Sequence, residues 1–543
     1  MVRFPQNHAI FAAAIQPTVI FRNLLFLFIA LAAAGRTAAQ EFTNRPASTR
    51  QLFDMGWRFV EADVPEAVSP AYDDRRWQPV DLPHDWDIGH APRADAATAN
   101  GGGYYPGGKG TYRKRFATPR GKRVRLCFDG VYQRCRVYVN GHEAGTHAYG
   151  YTSFSLDVTR HLRPKGDNVV TTARNMRREV LRHDDTRPVT EALCTWNNDW
   201  EIYDPHAEAL DVVGYNYMMH RHAADHVRAP QRILWQTESY PRDAFRNWQR
   251  TRDFAYIIGD IVWTGLDYLG ESGIGRWHYA GESSGEHYQR DQFPYHGAYC
   301  GDVDLTGWRK PISHYRDMLW NRDAAPTLYM AVKEPNGYGG KGDIKETQWS
   351  VWPTWESWNW PGWEGRTIDM EVCSKAPAVR LYLNGRLVGE KPTTLATEFK
   401  AVFPVAYAAG QLRAVAVDAA GRETDSVLLA TAGAPAAVRL TADRTAMPAD
   451  GQSLAYVTAE VIDAEGRVVP NTSLPLTVRV DGPARLLAAG SADLEDLEPL
   501  TSNRATTWKG LASIVVRSRQ KRGSATISVA SSLGTHAITL PVR

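Results

Sequence analysis

Cysteine is scarce: the chain has five in 543 residues, and none lies in a C-x-x-C pair. That excludes a disulfide-dense scaffold and removes the paired ligand spacing of a zinc ribbon. The odd count leaves at least one thiol free in any compartment, and all five read as small buried apolar residues. An excess of one charge is missing too. The 63 Lys+Arg and 60 Asp+Glu leave a formal net charge of +3, too balanced for a surface built around nucleic acid. Beyond residue 39 no apolar run reaches the roughly 20 residues that a membrane helix needs. With 43% apolar and 23% charged residues, the chain has neither the composition of a disordered segment nor that of a coiled coil.

What is present in excess is aromatic. There are 18 Trp, 24 Tyr and 16 Phe, enough for several cores and for flat faces on which a ring-shaped ligand can stack. The length corresponds to three or four domains. At the N-terminus Arg22 precedes an eleven-residue apolar run, Leu24 to Ala34, followed by small residues with Ala39 before the break. Residues 1–39 are therefore expected to be an export signal, placing the chain in the periplasm or outside the cell. An uncleaved anchor through 9–21 is the alternative, although Pro17 and Arg22 interrupt it.

Residues 45–173 alternate in the strand manner, in Val124–Phe128, Arg136–Asn140, Ser153–Val158 and Asn168–Thr172. Asn140-Gly141 is a hairpin signal, because a type I′ turn needs positive φ at both central residues. A β-sandwich is expected here. Over 177–325 strand-like runs alternate with helical ones. Pro188–Leu193, Leu210–Met218, Arg232–Glu238 and Ile257–Leu266 read as buried strands, and His220–Arg228, Arg242–Tyr256 and Ile312–Trp320 as helices. That pattern predicts a parallel sheet with outer helices, at about half the length of a TIM barrel. Residues 326–430 return to strands, with Arg380–Gly389 repeating the strand–Asn-Gly–strand pattern of Arg136–Gly145. Ala430–Ala437 reads as a linker, and 438–543 as a further immunoglobulin-like sandwich.

Specific segments now carry a resemblance. Asp74–Trp86 (DRRWQPVDLPHDW), Gly110–Phe116 (GTYRKRF) and Val137–Gly141 (VYVNG) resemble the N-terminal sugar-binding jelly roll of glycoside hydrolase family 2, the β-galactosidase and β-glucuronidase family. Asp185–Val189 (DTRPV), Asp211–Tyr217 (DVVGYNY), Gln236–Ser239 (QTES) and Val262–Gly270 (VWTGLDYLG) resemble the second half of that family's barrel, in the right order. The resemblance implies a β plus α/β architecture of jelly roll, half TIM barrel and C-terminal immunoglobulin-like sandwiches. It also implies a carbohydrate substrate, a β-glycoside; no cofactor and no metal-binding residues are assigned, and metal dependence stays open.

Glu238 ends a predicted barrel strand, the place where such barrels do chemistry. The resemblance makes it the nucleophile of a retaining mechanism, which attacks the anomeric carbon to form a glycosyl-enzyme. Tyr217 ends the preceding strand, where its phenol would steady the ionised nucleophile or serve as a core aromatic. Trp263 would floor the sugar subsite or pack the barrel. Asp267 and Glu271, on the following loop, would take sugar hydroxyls. Trp277, His296 and Trp308 are weaker candidates. The six tryptophans from Trp349 to Trp363 read as a domain seam more readily than as a stacking platform.

The family's acid/base is the Glu of an Asn-Glu dipeptide on the fourth barrel strand, and this chain contains no Asn-Glu dipeptide. The jelly roll also runs within a few residues of Ala173–Met176 into the DTRPV strand, leaving no room for the family's intervening sandwich and first half-barrel. The sequence therefore reads as a member with a large internal deletion. Glu191, Asp199 and Glu201 are the nearby carboxylates that would have to substitute. A half-barrel also leaves two unpaired strand edges, which invite self-association.

Overall fold

In the computed structural model, residues 51–116, 124–159, 184–194, 200–208, 210–282, 292–321 and 328–543 are described, with isolated positions 177, 180 and 181. The expected signal at 1–39, the strand at 168–172, the join near 173–176 and Asp199 lie outside them.

The chain divides into two bodies, Met1–Asp85 with Gly108–Asn168, and Trp86–Gly107 with Val169–Arg543. The described part of the first is all β. Trp57–Val60 pairs antiparallel with Gln78–Val80 and with Thr111–Arg113. Arg125–Phe128 pairs with Phe154–Asp157, and Cys135–Val139 with His142–His147. The last pair is the hairpin that Asn140-Gly141 signals, with φ of 52° and 84° at its two turn residues. Leu82, Leu126, Phe128, Val139, Ala144 and Val158 form its core.

One boundary is corrected. Trp86–Gly107, read from the sequence as part of the first sandwich, belongs to the second body. Tyr104 is buried there and its hydroxyl accepts from the Gln292 N–H at 3.1 Å. The carbonyls of Gly101 and Asn100 accept from Glu271 and Ser272 at 3.0 and 2.9 Å. Hydrogen bonds to residues almost two hundred positions away decide the placement, and no local pattern encodes them.

The second body contains a four-stranded sheet in the order Ile257–Val262, Leu234–Ser239, Val212–Asn216, Thr190–Leu193, with all neighbours parallel. The strand Val212–Asn216 is buried throughout, as a strand covered on both faces should be. Helices His222–Arg228, Ala244–Asp253 and Pro311–Trp320 follow in sequence. Pro311 occupies a first helical position, where its missing N–H costs nothing. The two longer helices pack through Ala244, Phe245, Tyr315, Met318 and Leu319 onto Tyr329 and Cys373 of the next region.

That region has two antiparallel four-stranded sheets, one containing Leu328–Lys333, Thr367–Ser374 and Lys400–Ala406, the other Ala378–Leu383, Gln411–Val417 and Glu423–Ala430. A second Asn-Gly hairpin, with φ of 49° at Asn384 and 78° at Gly385, joins Ala378–Leu383 to Arg386–Pro392. Residues 437–542 supply two more four-stranded sheets around a Val, Ala, Ile and Leu core. The stretch between them is tied down: Asn359 exchanges two hydrogen bonds with Ala432, and the Gly433 N–H donates to Asp463 at 2.8 Å. Among the described residues no helix is long and apolar enough to cross a membrane. The five cysteines are free thiols.

Candidate active site

The carboxyl ends of the parallel strands bring the chemistry together. Glu238 is adjacent to Asn216 in the register of the two central strands. The Tyr217 N–H donates to the Glu238 carbonyl at 2.8 Å, and the Trp263 N–H to the Ser239 carbonyl at 2.9 Å. Three successive strand ends thus present Tyr217, Glu238 and Trp263 on one rim.

The Glu238 side chain is partly buried, and loss of water pushes its pKa above the usual carboxylate range. Side-chain hydrogen bonds from Tyr217 and Asn216 oppose that shift, while the nearby Glu271 charge adds to it. Two donors therefore hold a charge that burial disfavours. The orientation of Asn216 is fixed by Thr237, whose hydroxyl donates to Asn216 Oδ1 at 2.6 Å, so the amide N–H₂ is the end left to face Glu238. The sequence reading missed Asn216, although it sits beside Tyr217 in the same strand-end motif. Burial raises the Tyr217 phenol pKa strongly, which keeps it a neutral donor. Cys194, at the end of the first parallel strand, feels the Glu238 charge; burial and that charge both raise its thiol pKa.

Trp263 meets Tyr268 edge-on at 6.1 Å, and the Tyr268 hydroxyl bonds the Glu271 carboxylate. Glu271 is exposed and has φ 46°, a left-handed conformation uncommon for a residue with a Cβ and characteristic of constrained sites. It joins the rim. Asp267 does not. Its side chain is 1% exposed, with Oδ1 taking Lys310 Nζ at 2.7 Å and the Gly301 N–H at 2.8 Å. It is committed to a buried ion pair, and its expected role on sugar hydroxyls is corrected accordingly.

The weaker candidates lie elsewhere. His296 is buried with its ring nitrogen on the Pro294 carbonyl and its ring against Tyr105. Trp277 packs edge-on against Tyr299 and Trp355. Trp308 is exposed and bonds Glu356. Of the substitute carboxylates, Glu201 is paired with Arg221 at 2.6 Å, and Glu191 lies exposed on the edge strand.

Elements outside the sheet complete the rim. The Gly101 and Asn100 carbonyls hold the Glu271–Ser272 turn. Trp349 packs with Ile274, Ala298 and Cys300 against Tyr217, Tyr240, Trp263 and Tyr268. Among the described residues no group of three His, Cys, Asp or Glu side chains is placed to hold a metal ion. The chemistry available is that of a hydrogen-bonded carboxylate beside a cluster of aromatic side chains.

Comparison with known proteins gives concordant matches. Residues 438–538 match the glycoside hydrolase family 2 C-terminal domain 5, residues 108–207 the glycosyl hydrolase 2 galactose-binding domain-like family, and residues 365–425 a domain of unknown function, DUF4982. The chain is 41% identical over 124 residues to the β-galactosidase BoGH2A of Bacteroides ovatus, covering 22% of this chain and 15% of that protein. It is 36% identical over 114 residues to a putative β-glucuronidase of Formosa agariphila, covering 20% and 11%. The matched stretches thus span a small part of these relatives. A glycosyl hydrolase family 2 member from Bacteroides cellulosilyticus superposes with a TM-score of 0.79 at 22% identity, covering 91% of this chain and 100% of that one. A β-glycosidase from Bacteroides vulgatus superposes with a TM-score of 0.68 at 15% identity, covering 90% and 99%. At those identities the likeness is one of fold.

Proposed function

We propose that the chain is a member of the glycoside hydrolase family 2 superfamily of β-galactosidases and β-glucuronidases, and that its rim is the nucleophile half of a retaining β-glycosidase site. The observation that carries this reading is Glu238 at a parallel-strand end with Tyr217 and Asn216 donating to its carboxylate. Such a carboxylate is oriented and only partly solvated, and its ionised form, the one its two donors favour, suits attack on an anomeric carbon. Trp263 and Glu271 supply a ring face and a hydroxyl acceptor beside it. β-Galactosides are the first substrates to try, and β-glucuronides the second.

The acid/base is the missing part. The chain has no Asn-Glu dipeptide, so on this reading the family's usual partner for protonating the leaving oxygen is absent, and that help is worth about 10²–10⁴-fold. Aryl glycosides that leave without protonation should form the glycosyl-enzyme. Water should release it slowly, and added azide, which needs no deprotonation, should release it as the glycosyl azide. The test is azide-dependent turnover of dinitrophenyl β-galactoside and β-glucuronide, abolished by Glu238→Gln. Rapid hydrolysis of an unactivated disaccharide would overturn the lost-acid reading.

A second reading is a non-catalytic carbohydrate-binding protein, or a fragment that complements another chain. The outer strand of the sheet favours it, since Ile258 and Ile261 are exposed, as they would be if a partner covered that edge. Sugar binding without azide-rescued turnover is its signature.

A further inference from the structure

The Trp349–Trp363 segment divides into two parts in the structure. Trp358 and Trp360 are core residues of the sandwich that follows the parallel sheet, with Trp355 and Trp363 packed against that core. Their indole N–H groups stay local: Trp358 donates to Ala408, Trp360 to Ser357, Trp363 to Thr367 and Trp355 to Glu334. Trp352 also donates to Glu334, through its carbonyl, at 3.0 Å. Trp358 and Trp360 are thus interior to one sandwich, and the domain-seam expectation does not describe them.

Trp349 turns the other way. It is 6% exposed, and its Nε1–H donates to the Tyr217 hydroxyl at 3.0 Å. Its ring meets Tyr217 and Tyr240 edge-on at 5.6 and 5.3 Å. A tight turn holds it there. The Thr347 N–H donates to Ser350 Oγ at 2.7 Å, and Thr347 Oγ1 donates to the Arg276 carbonyl at 2.8 Å. Gln348 bonds the Tyr240 hydroxyl. Thr347 and Ser350 are themselves buried.

An indole nitrogen can only donate, whereas a phenol has one proton and acceptor lone pairs. With Trp349 supplying a proton to the oxygen, Tyr217 must spend its own proton elsewhere, and Glu238 is its side-chain acceptor. We propose that Trp349 is a positioning residue for Glu238, because its N–H fixes the Tyr217 hydroxyl so that the phenolic proton points at the carboxylate. The inference rests on Glu238 being the nucleophile. It adds that the charge of Glu238 is set partly by a side chain 111 positions away, outside the parallel sheet.

The titratable groups around Glu238 are Cys194 from the first strand end, Tyr217 from the second and Glu271 from the loop beyond the fourth. Tyr240 and Cys300 lie behind Tyr217 and Trp349. Burial raises the pKa values of all of these thiols and phenols, that of Cys300 to about 12.

The test reads the Glu238 ionisation directly, as the infrared carboxylic acid band isolated by subtracting Glu238→Gln. In Trp349→Phe the midpoint should rise by about half to one pH unit, the equivalent of one weakened hydrogen bond. Trp349→His, which keeps a ring N–H, should restore much of it, and Trp352→Phe should leave it unchanged. Tyr217→Phe should raise the midpoint at least as far, and the Tyr217→Phe/Trp349→Phe double variant no further. The rise should persist in a Glu271→Gln background. If Trp349→Phe does not fold, the same contact is read in Tyr217→Phe, where the ultraviolet resonance Raman band for indole N–H bonding should shift by one tryptophan. An unchanged midpoint, additive single effects or an unshifted indole band would overturn the proposal. Labelling by an activated 2-fluoro glycoside checks the nucleophile separately. A shifted midpoint in a protein that takes no label refutes the nucleophile and keeps the coupling, whereas label with no shift does the reverse.

Discussion

Asp260 gives the sharpest test of the electrostatics beneath the rim. It lies on the fourth parallel strand, with a side chain 2% exposed and Arg316 Nη1 3.7 Å away. The Ser239 hydroxyl is the one side-chain hydrogen-bond donor acting on it, and Arg316 already binds Asp302 at 2.6 Å. Burial raises the Asp260 pKa from 3.8 to about 6, with Arg316 pulling against the rise. Because the folded value lies above the unfolded one, this group's contribution is fully present below about pH 4 and is lost as the pH climbs through 6. A shift of about two units at 1.36 kcal/mol each gives about 3 kcal/mol by pH 8. Asp260→Asn keeps the shape and cannot ionise. It should match the wild type near pH 4 and exceed it by up to about 3 kcal/mol at pH 8. Urea unfolding followed by tryptophan fluorescence, at pH 4, 6 and 8 in both proteins, measures the difference. Stability curves that run parallel across that range would refute the argument, because a charge paid for by Arg316 would leave no slope to remove.

Three further outcomes follow from packing. Gly301→Ala places a Cβ 2.2 Å from the Asp267 nitrogen and 2.4 Å from the Leu266 carbonyl carbon; the backbone must move, and a loss of more than about 2 kcal/mol is expected in thermal melts. Lys310→Met removes the partner of Asp267, so Asp267 should retain a proton to higher pH and the destabilisation should be larger at pH 8 than at pH 5. Ile258→Lys with Ile261→Lys charges the exposed edge strand; if that edge drives self-association, sedimentation should move towards a single-chain species, and an unchanged profile would dismiss the edge.

The strand ends were legible because a buried parallel strand writes a short apolar run whose last residues face the carboxyl end. Val212–Asn216 is such a run, whereas Leu234–Ser239 (LWQTES) turns polar after Trp235, so Glu238 is legible there through the Gln236–Ser239 motif and not through hydrophobicity. Both Asn-Gly hairpins were equally local, since two adjacent residues carry the whole conformational demand. What sequence could not supply was anything fixed by distant partners. Asp267 and Glu271 lie on one loop and look alike in the sequence, yet Lys310 captures the first while the Gly101 carbonyl holds the second on the rim. Trp349 looks like its five neighbours until its N–H is followed to Tyr217.

On the proposed reading, the same division between local and distant contacts would let a nucleophile site stand without the rest of a barrel. Asn216, Tyr217 and Thr237 all sit on the two strands that carry Glu238 or immediately after them, and Trp349 arrives from a turn pinned by Thr347 and Ser350. None of these contacts uses a residue upstream of the parallel sheet. The donors that hold the carboxylate charge are therefore assembled wherever these strands and the Thr347–Ser350 turn fold together. Acid catalysis is different, because a second carboxyl must stand about 5–5.5 Å across the sugar on a strand of its own. Losing that strand removes protonation of the leaving group without touching the shell around Glu238. If Glu238 is the proposed nucleophile and no second carboxyl stands across from it, an activated leaving group and an external nucleophile, which replace the two jobs of an acid/base, are the conditions under which turnover should be seen.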